Sequence, residues 1–399
     1  MLRSSTITIL HRGGRIGLLF IVAQVAVAYA ATVIPATGAR FEGQLQSVTA
    51  DGQATFLVDG ARRSISLGDV SRYGALVEPG QGIEILLTGG GLIVADAVHS
   101  ADEELHIESA LFGERTIPLE FVAGVVFDPP RDLPERDRLI ERAMDHAARS
   151  DRLLLANGDE LTGTVASVSG TAVGIESQGQ KLSVDLPRIA AVAFDPSLAA
   201  APRASAERIL VGLRDGSRFA VSGIVLGDKE AQVKMPDGAT WTFPAEALAC
   251  LQPLSGKAKY LSDLTAEGYR HLPFLNQSWP YRNDASATGT QLRAAGHTYA
   301  KGIGMHSAAR LTYRLDKRYR RFAAEVALDD QVGDRGAATF GVYVDDKLAW
   351  KSDMIHGRMA PVPVDVDVSG GKRLSLIVEF GDRGDELDRA NWLDARLIE

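Results

Sequence analysis

Four stretches between Arg40 and Pro253 follow one loose plan, and that plan allows little besides antiparallel β-structure. ILLTGGGLIVADAVHSADEELHIESALFGERTIPLEFVAGVVFDPP starts at Ile85 and LLLANGDELTGTVASVSGTAVGIESQGQKLSVDLPRIAAVAFDP starts at Leu153. Both run from a short apolar strand through a Gly turn, two alternating strands and a second turn, and both end in Val-x-Phe-Asp-Pro. A third copy begins at Ile209, and a degenerate first one at Arg40. Asn157-Gly158, Asp215-Gly216 and Asp237-Gly238 lie between period-two runs, where such dipeptides signal hairpins. A unit this small cannot hide its apolar face alone, so the pattern predicts small, strongly bent β-sheets or SH3-like barrels packed on one another. No His, Ser or paired-carboxylate spacing recurs in them, which points to a spacer or protein-contact role.

The predicted order is β-rich repeats 1 and 2 over residues 31–130, an amphipathic helix over 131–150, repeats 3 and 4 over 151–255, and a separate β-rich module over 257–399. The helix is carried by Leu139, Ile140, Ala143, Met144 and Ala147 at three- and four-residue steps. SLAAAPRASAE, residues 197–207, has the small-residue and proline content of a connector.

Residues 1–30 place Arg3, Arg12 and Arg15 ahead of the apolar run IGLLFIVAQVAVA and end in Ala28-Tyr29-Ala30. That order is the one of a secretory signal peptide, with an uncleaved N-terminal anchor as the alternative. Either places the body of the protein outside the cytoplasm, in the periplasm, at the cell surface or secreted, with no membrane span after cleavage. The formal charge is −8 for the whole chain, and acidity of this kind disfavours nucleic acid and anionic lipid as partners. Cys250 is the single cysteine, so no intramolecular disulfide forms; its apolar setting, EALACLQP, is that of a buried structural thiol.

From Lys257 onward ARLTYRL, RRFAAEVAL, FGVYV, VPVDVDV and LSLIVEF alternate with period two, and Asp345-Asp346-Lys347 and Ser369-Gly370-Gly371 supply turns. Short strands spaced this way predict a two-sheet antiparallel sandwich, with Pro361 and Pro363 marking an edge strand. YAKGIGMHS, LTYRLDKRYRRF, Asp329-Asp330 with Gly333 and Gly336, FGVYVDDKLAWKSD, VDVSGGKRLSLIVEFGD and DRANWLDARL together resemble the NPCBM family, carbohydrate-binding modules also found attached to family 98 glycosyl hydrolases. The resemblance covers residues 257–399 and not the repeats. It implies a galactose-binding-like antiparallel β-sandwich and non-catalytic sugar binding. Arg389 and Asn391 stand where family members more often have His and Asp.

A pyranose offers an apolar CH face and a rim of hydroxyls, so its site needs an aromatic platform and a few fixed polar groups. Trp279, Tyr281 and Trp350 are candidate platforms; Trp392 is read as core. Asn276, Arg282, Asn283, Asp353 and Asn391 lie near them in sequence as hydroxyl readers. Gly302 and Gly304 are read as letting the backbone turn into the first long strand, with His306 at its start, either as a satisfied structural histidine or as a sugar contact. Asp382, Asp385, Glu386 and Asp388 crowd one loop, where carboxylates could hold a structural Ca2+ or form a solvated acidic turn. The sequence therefore favours an exported, non-catalytic protein whose partner is a glycan or polysaccharide. The alternatives are an envelope scaffold contacting another envelope protein, and, least favoured, a glycoside hydrolase using carboxylates such as Asp329 and Asp385.

Overall fold

The computed structural model describes residues 30–200, 208–273, 278–315, 318–382 and 384–399. The expected export signal, all but Ala30, lies outside the described residues, as do residues 201–207 of the expected connector. The fold is mainly β, as the sequence implies.

In the N-terminal region Phe41–Val48, Gln53–Val58 and Ala61–Ser66 form an antiparallel meander; a 3-10 turn at Leu67–Asp69 follows, and Val70–Gly74 leads away. The same succession runs from Ala97–Ala101 to Val122–Val126, from Glu160–Val168 to Ile189–Ala193, and from Gly223–Leu226 to Leu248–Pro253. Each corner has an extended residue, three turn residues and then Val, Ile or Leu. In the first, the Val70 N–H donates back to the Leu67 carbonyl, which swings the last strand off the meander. The strands on either side of a corner do not pair, so the one after it is free to join a neighbouring stretch.

Such joins are Val70–Gly74 with Leu248–Pro253 and Val122–Val126 with Ile189–Ala193, and Gly91–Ala95, which precedes a meander, likewise pairs with Arg218–Val221. The region is thus one continuous network of bent sheets, with no closed barrel among the described residues. Glycine permits two of the joins. A Cβ on Gly74 (φ +67) would sit 2.0 Å from the Ala249 carbonyl oxygen, and one on Gly91 (φ +97) would sit 2.3 Å from that of Arg218. One apolar core runs through all four stretches; Phe112 of the second, for example, packs on Phe219, Trp241 and Phe243 of the fourth. Cys250 is buried at the Gly74 join, and burial pushes its thiol up to about 12, although the Arg72 charge pulls the other way.

The α-helix is Leu133–Ala143, shorter than the predicted 131–150. Asp132 caps it by accepting from the Glu135 N–H at 3.0 Å. At its end the Arg152 guanidinium takes the carbonyls of Arg142 and Ala143, at 2.8 and 3.5 Å, satisfying the helix end from a neighbouring strand.

The C-terminal region is the expected sandwich. One sheet orders Arg282–Asn283, Gly302–His306, Arg389–Ile398, Arg321–Leu328 and Val362–Asp367, with Ala258–Tyr260 also against Arg389–Ile398. The other orders Gly268–His271, Ala309–Arg314, Arg373–Phe380, Ala337–Val344 and Lys347–Lys351. Pro363 does lie on an edge strand, and Trp392 is core, against Phe340 at 5.3 Å and Phe322 at 6.3 Å.

Buried ionic contacts fix the sandwich to the N-terminal region. Arg293 bonds both oxygens of helix residue Asp137, at 2.5 and 3.0 Å, and Glu78 at 2.6 Å. Asp394 pairs with Arg72 at 2.9 Å and accepts from Gln252 at 2.9 Å, and Gln252 also donates to the Tyr260 hydroxyl at 3.0 Å. Truncating one member leaves a buried charge short of a partner.

Three outcomes follow from this architecture. Asp137→Ala should cost about 3 kcal/mol by leaving the buried Arg293 with Glu78 alone and the Gln291 N–H without its acceptor, read as a lower urea midpoint. Gly74→Ala should cost ~2 kcal/mol or more, and clearly more than Gly60→Ala, whose Cβ would meet nothing within 4 Å. Burial would raise the Glu78 carboxyl, but the bond and charge of Arg293 outweigh it and hold the group below its ordinary 4.5. Its contribution is therefore present above pH 4.5 and lost as pH falls through the lowered value, so Glu78→Gln should flatten the acid limb of a stability–pH curve.

Candidate functional site

The strand Gly302–His306 begins where the loop 284–287 crosses it. A Cβ on Gly304 would come within 2.3 Å of the Ser286 carbonyl carbon, so the small residue is what lets that loop lie flat on the strand. Lys301, just before the strand, ties Asp263 and Asp284 at 2.7 and 2.6 Å. His306 is the last residue of this strand rather than its start, paired in register with Arg389 of the central strand. The register thus brings two residues far apart in sequence to one end of the sandwich.

At that end is a cleft of about 250 Å³ lined by Trp279, Thr288, His306, Asp385, Leu387 and Arg389, with Ala287. Trp279 lies parallel to the His306 ring, 5.4 Å between centroids and 10° between planes. The tryptophan is held through its backbone: its N–H donates to His271 Nδ1 at 3.1 Å, and its carbonyl accepts from the Tyr269 hydroxyl at 2.7 Å. The indole is thereby positioned without its ring being consumed. Opposite, Leu387 takes a left-handed backbone conformation (φ 58), a costly choice for leucine that turns Asp388 inward and leaves Asp385 and Arg389 on the cleft. His306 is 7% exposed, and its Nδ1 has no hydrogen-bond partner. Burial, helped by the His271 and Arg389 charges and opposed by Asp385, pushes its imidazole down to about 4. It is neutral at pH 7, with a polar nitrogen waiting for a partner.

Of the sequence candidates, Trp279 and His306 are in the cleft. Asp385, read as a metal ligand, lines it too, as does Arg389. Tyr281 is not beside Trp279: it packs half-buried on the sandwich core, 5.1 Å from the Tyr269 ring. Arg282 and Asn283 are exposed on a short edge strand, Arg282 facing Glu141 at 3.9 Å. Trp350, half-buried against the core, lies on the edge strand of the other sheet, and Asp353 follows it in solvent. Asn276 lies outside the described residues. Asn391 corrects the sequence expectation: it is fully buried, donating to Asp329 at 2.9 Å and to the Arg293 carbonyl, because the outer face of its strand is covered.

The carboxylates read as Ca2+ ligands have different surroundings. Asp388 is buried and accepts from the Ala337 and Gly381 N–H groups at 3.2 and 3.4 Å, while Glu386 faces Arg335 at 3.8 Å and Asp382 is exposed. Among the described residues, no three His, Cys, Asp or Glu side chains gather where a metal could be held. Thr288 and Leu387 were not found from the sequence, because neither belongs to a periodic run.

Since His306 is buried neutral and charges freely once unfolded, it should erode stability as pH falls from 6.5 toward 4. A histidine-selective NMR titration should show the His306 imidazole still neutral at pH 5, and His306→Gln should remove that resonance and the associated acid sensitivity.

Residues 257–398 match the NPCBM/NEW2 domain family. A protein of Renibacterium salmoninarum named "Putative endo-alpha-N-acetylgalactosaminidase" is 27% identical over 114 residues, which are 29% of this chain and 8% of that protein. The chain thus spans only a small part of that relative's length. Among solved structures, CBM51-2 with the INT domains of Clostridium perfringens ZmpB, in complex with GlcNAc, is 28% identical, covering 44% of this chain and 37% of that one at a TM-score of 0.33. CBM51 from Clostridium perfringens GH95, in complex with methyl-galactose, is 27% identical, covering 35% of this chain and 99% of that one at 0.32. Among the described residues, no helix is long and apolar enough to cross a membrane.

Proposed function

From the NPCBM/NEW2 domain at residues 257–398, we propose an exported protein that binds one sugar ring of a glycan in the Trp279–His306 cleft without turning it over, held out on its N-terminal sheets as a spacer. The observation that carries this is the parallel Trp279–His306 stack beside a buried, unpartnered His306 Nδ1. The ring wall suits the CH face of a pyranose, and a small shift of the imidazole on binding would bring its unpartnered nitrogen to a hydroxyl. Asp385 and Arg389 add an acceptor and a donor on the same rim, and about 250 Å³ suits a single ring rather than a long chain.

Non-catalytic binding is favoured because glycoside hydrolysis needs two carboxyl groups facing each other across the bond. Asp385 is the one carboxylate among the cleft's lining residues; Asp329 is buried, accepting from Asn391 and from the Gln331 N–H at 3.1 Å. The ionic contacts of Arg293 and Asp394 support a spacer that holds the module at a fixed angle instead of on a tether.

Calorimetric titration of the full chain against neutral monosaccharides, methyl-galactose and N-acetylglucosamine among them, tests the proposal. One sugar should bind at a 1:1 ratio, unchanged by a chelator, with no reducing sugar released from its glycosides. Trp279→Ala should weaken binding at least about tenfold, roughly 1.4 kcal/mol, while leaving the thermal midpoint within a few degrees. Binding by the wild type that Trp279→Ala does not alter would remove the cleft from the proposal.

A further inference from the structure

A second concavity lies in the N-terminal region, far in sequence from the sugar cleft and of about 910 Å³. Its floor is apolar, made by Val122, Ala143, Met144, Val165 and Phe194, where the helix end meets strands of the second and third stretches. Its rim carries Asp102, Glu103, Glu104, Glu120, Asp145 and Asp195, and the lining holds no lysine or arginine. Asp102, Glu103, Glu104 and Glu120 have no ion-pair partner among the described residues; Arg149, outside the lining, acts on Asp195. Leu198 stands at the mouth with 73% of its surface in water.

We propose that this groove docks a peptide segment of a partner protein that presents lysine or arginine side chains among apolar ones. Charge complementarity argues for it: a one-sided acidic rim attracts cations and repels phosphates, sugar acids and nucleic acids. The floor and Leu198 need apolar groups to cover them, which a bare polyamine cannot supply. No Trp or Tyr lines the groove, so it lacks the platform of a second sugar site.

Fluorescence anisotropy of the full chain with labelled hexapeptides separates these possibilities. A peptide alternating Leu and Lys should bind saturably at 1:1 and weaken with added salt; peptides alternating Gly with Lys, or Leu with Glu, should bind at least about tenfold more weakly. Glu103 and Glu120 are both exposed. Replacing them together, Glu103→Lys with Glu120→Lys, should also cost about tenfold with an unchanged circular dichroism spectrum. Leu198→Ser should weaken binding several-fold, whereas Trp279→Ala should leave it intact, which keeps this test separate from the sugar-binding one. No saturable binding of the Leu–Lys peptide, equal binding of the Gly–Lys peptide, or binding that survives the double charge reversal would each overturn the proposal.

Discussion

The guanidinium of Arg293 is where three distant parts of the chain meet. Glu78 arrives from a loop between strands, Asp137 from the helix, and Arg293 from a small hairpin lying on the sandwich. A planar fork with five donors can satisfy two carboxylates at once, and away from water it tolerates nothing less. The helix is thereby given a tertiary role its length alone would not secure, since an 11-residue helix is marginal by itself. The Gln291 N–H adds to the join by donating to Asp137 at 3.0 Å, so the loop leading to the cleft is referenced to the helix through the backbone as well. The sugar cleft is built on that reference frame.

What the sequence disclosed depended on how local the cause was. Period-two alternation, Asn-Gly and Asp-Gly turns, the edge proline at Pro363 and the core position of Trp392 all follow from a few neighbouring residues, and they are found as expected. The 3-10 corners were missed because Leu67-Gly68-Asp69 and Ala245-Glu246-Ala247 share a shape and not a composition. So the free edges after them, and with them the edge-to-edge joining of the stretches in place of barrels, could not be anticipated.

The candidate site was legible only in part, for a related reason. Trp279 and His306 carried the right chemistry on their own, but Arg389 enters through the register of Gly302–His306 against Arg389–Ile398, and Asp385 through the loop just before that strand. Trp279 and Tyr281 were both read as platforms, but residues 278–280 are irregular and Tyr281 packs on the sandwich core. Asn391 was read as a hydroxyl reader from its nearness to aromatic residues in sequence, a role that needs one wet face on its strand. Here both faces are dry, the outer one roofed by the hairpin of Leu292–Ala294 and His297–Tyr299.

The two concavities divide the molecule chemically. One has a ring stack, a neutral imidazole and a balanced Asp–Arg pair; the other has an apolar floor under uniform negative charge. Cys250 belongs to neither. Its sulfur is sealed at the Gly74 join and remains a protonated thiol at any working pH. To a thiol-directed dye or cross-linker the folded chain is therefore blank. One cysteine placed on the rim of each concavity would supply the two reactive handles, so the distance between cleft and groove is open to spectroscopic measurement on an otherwise native sequence.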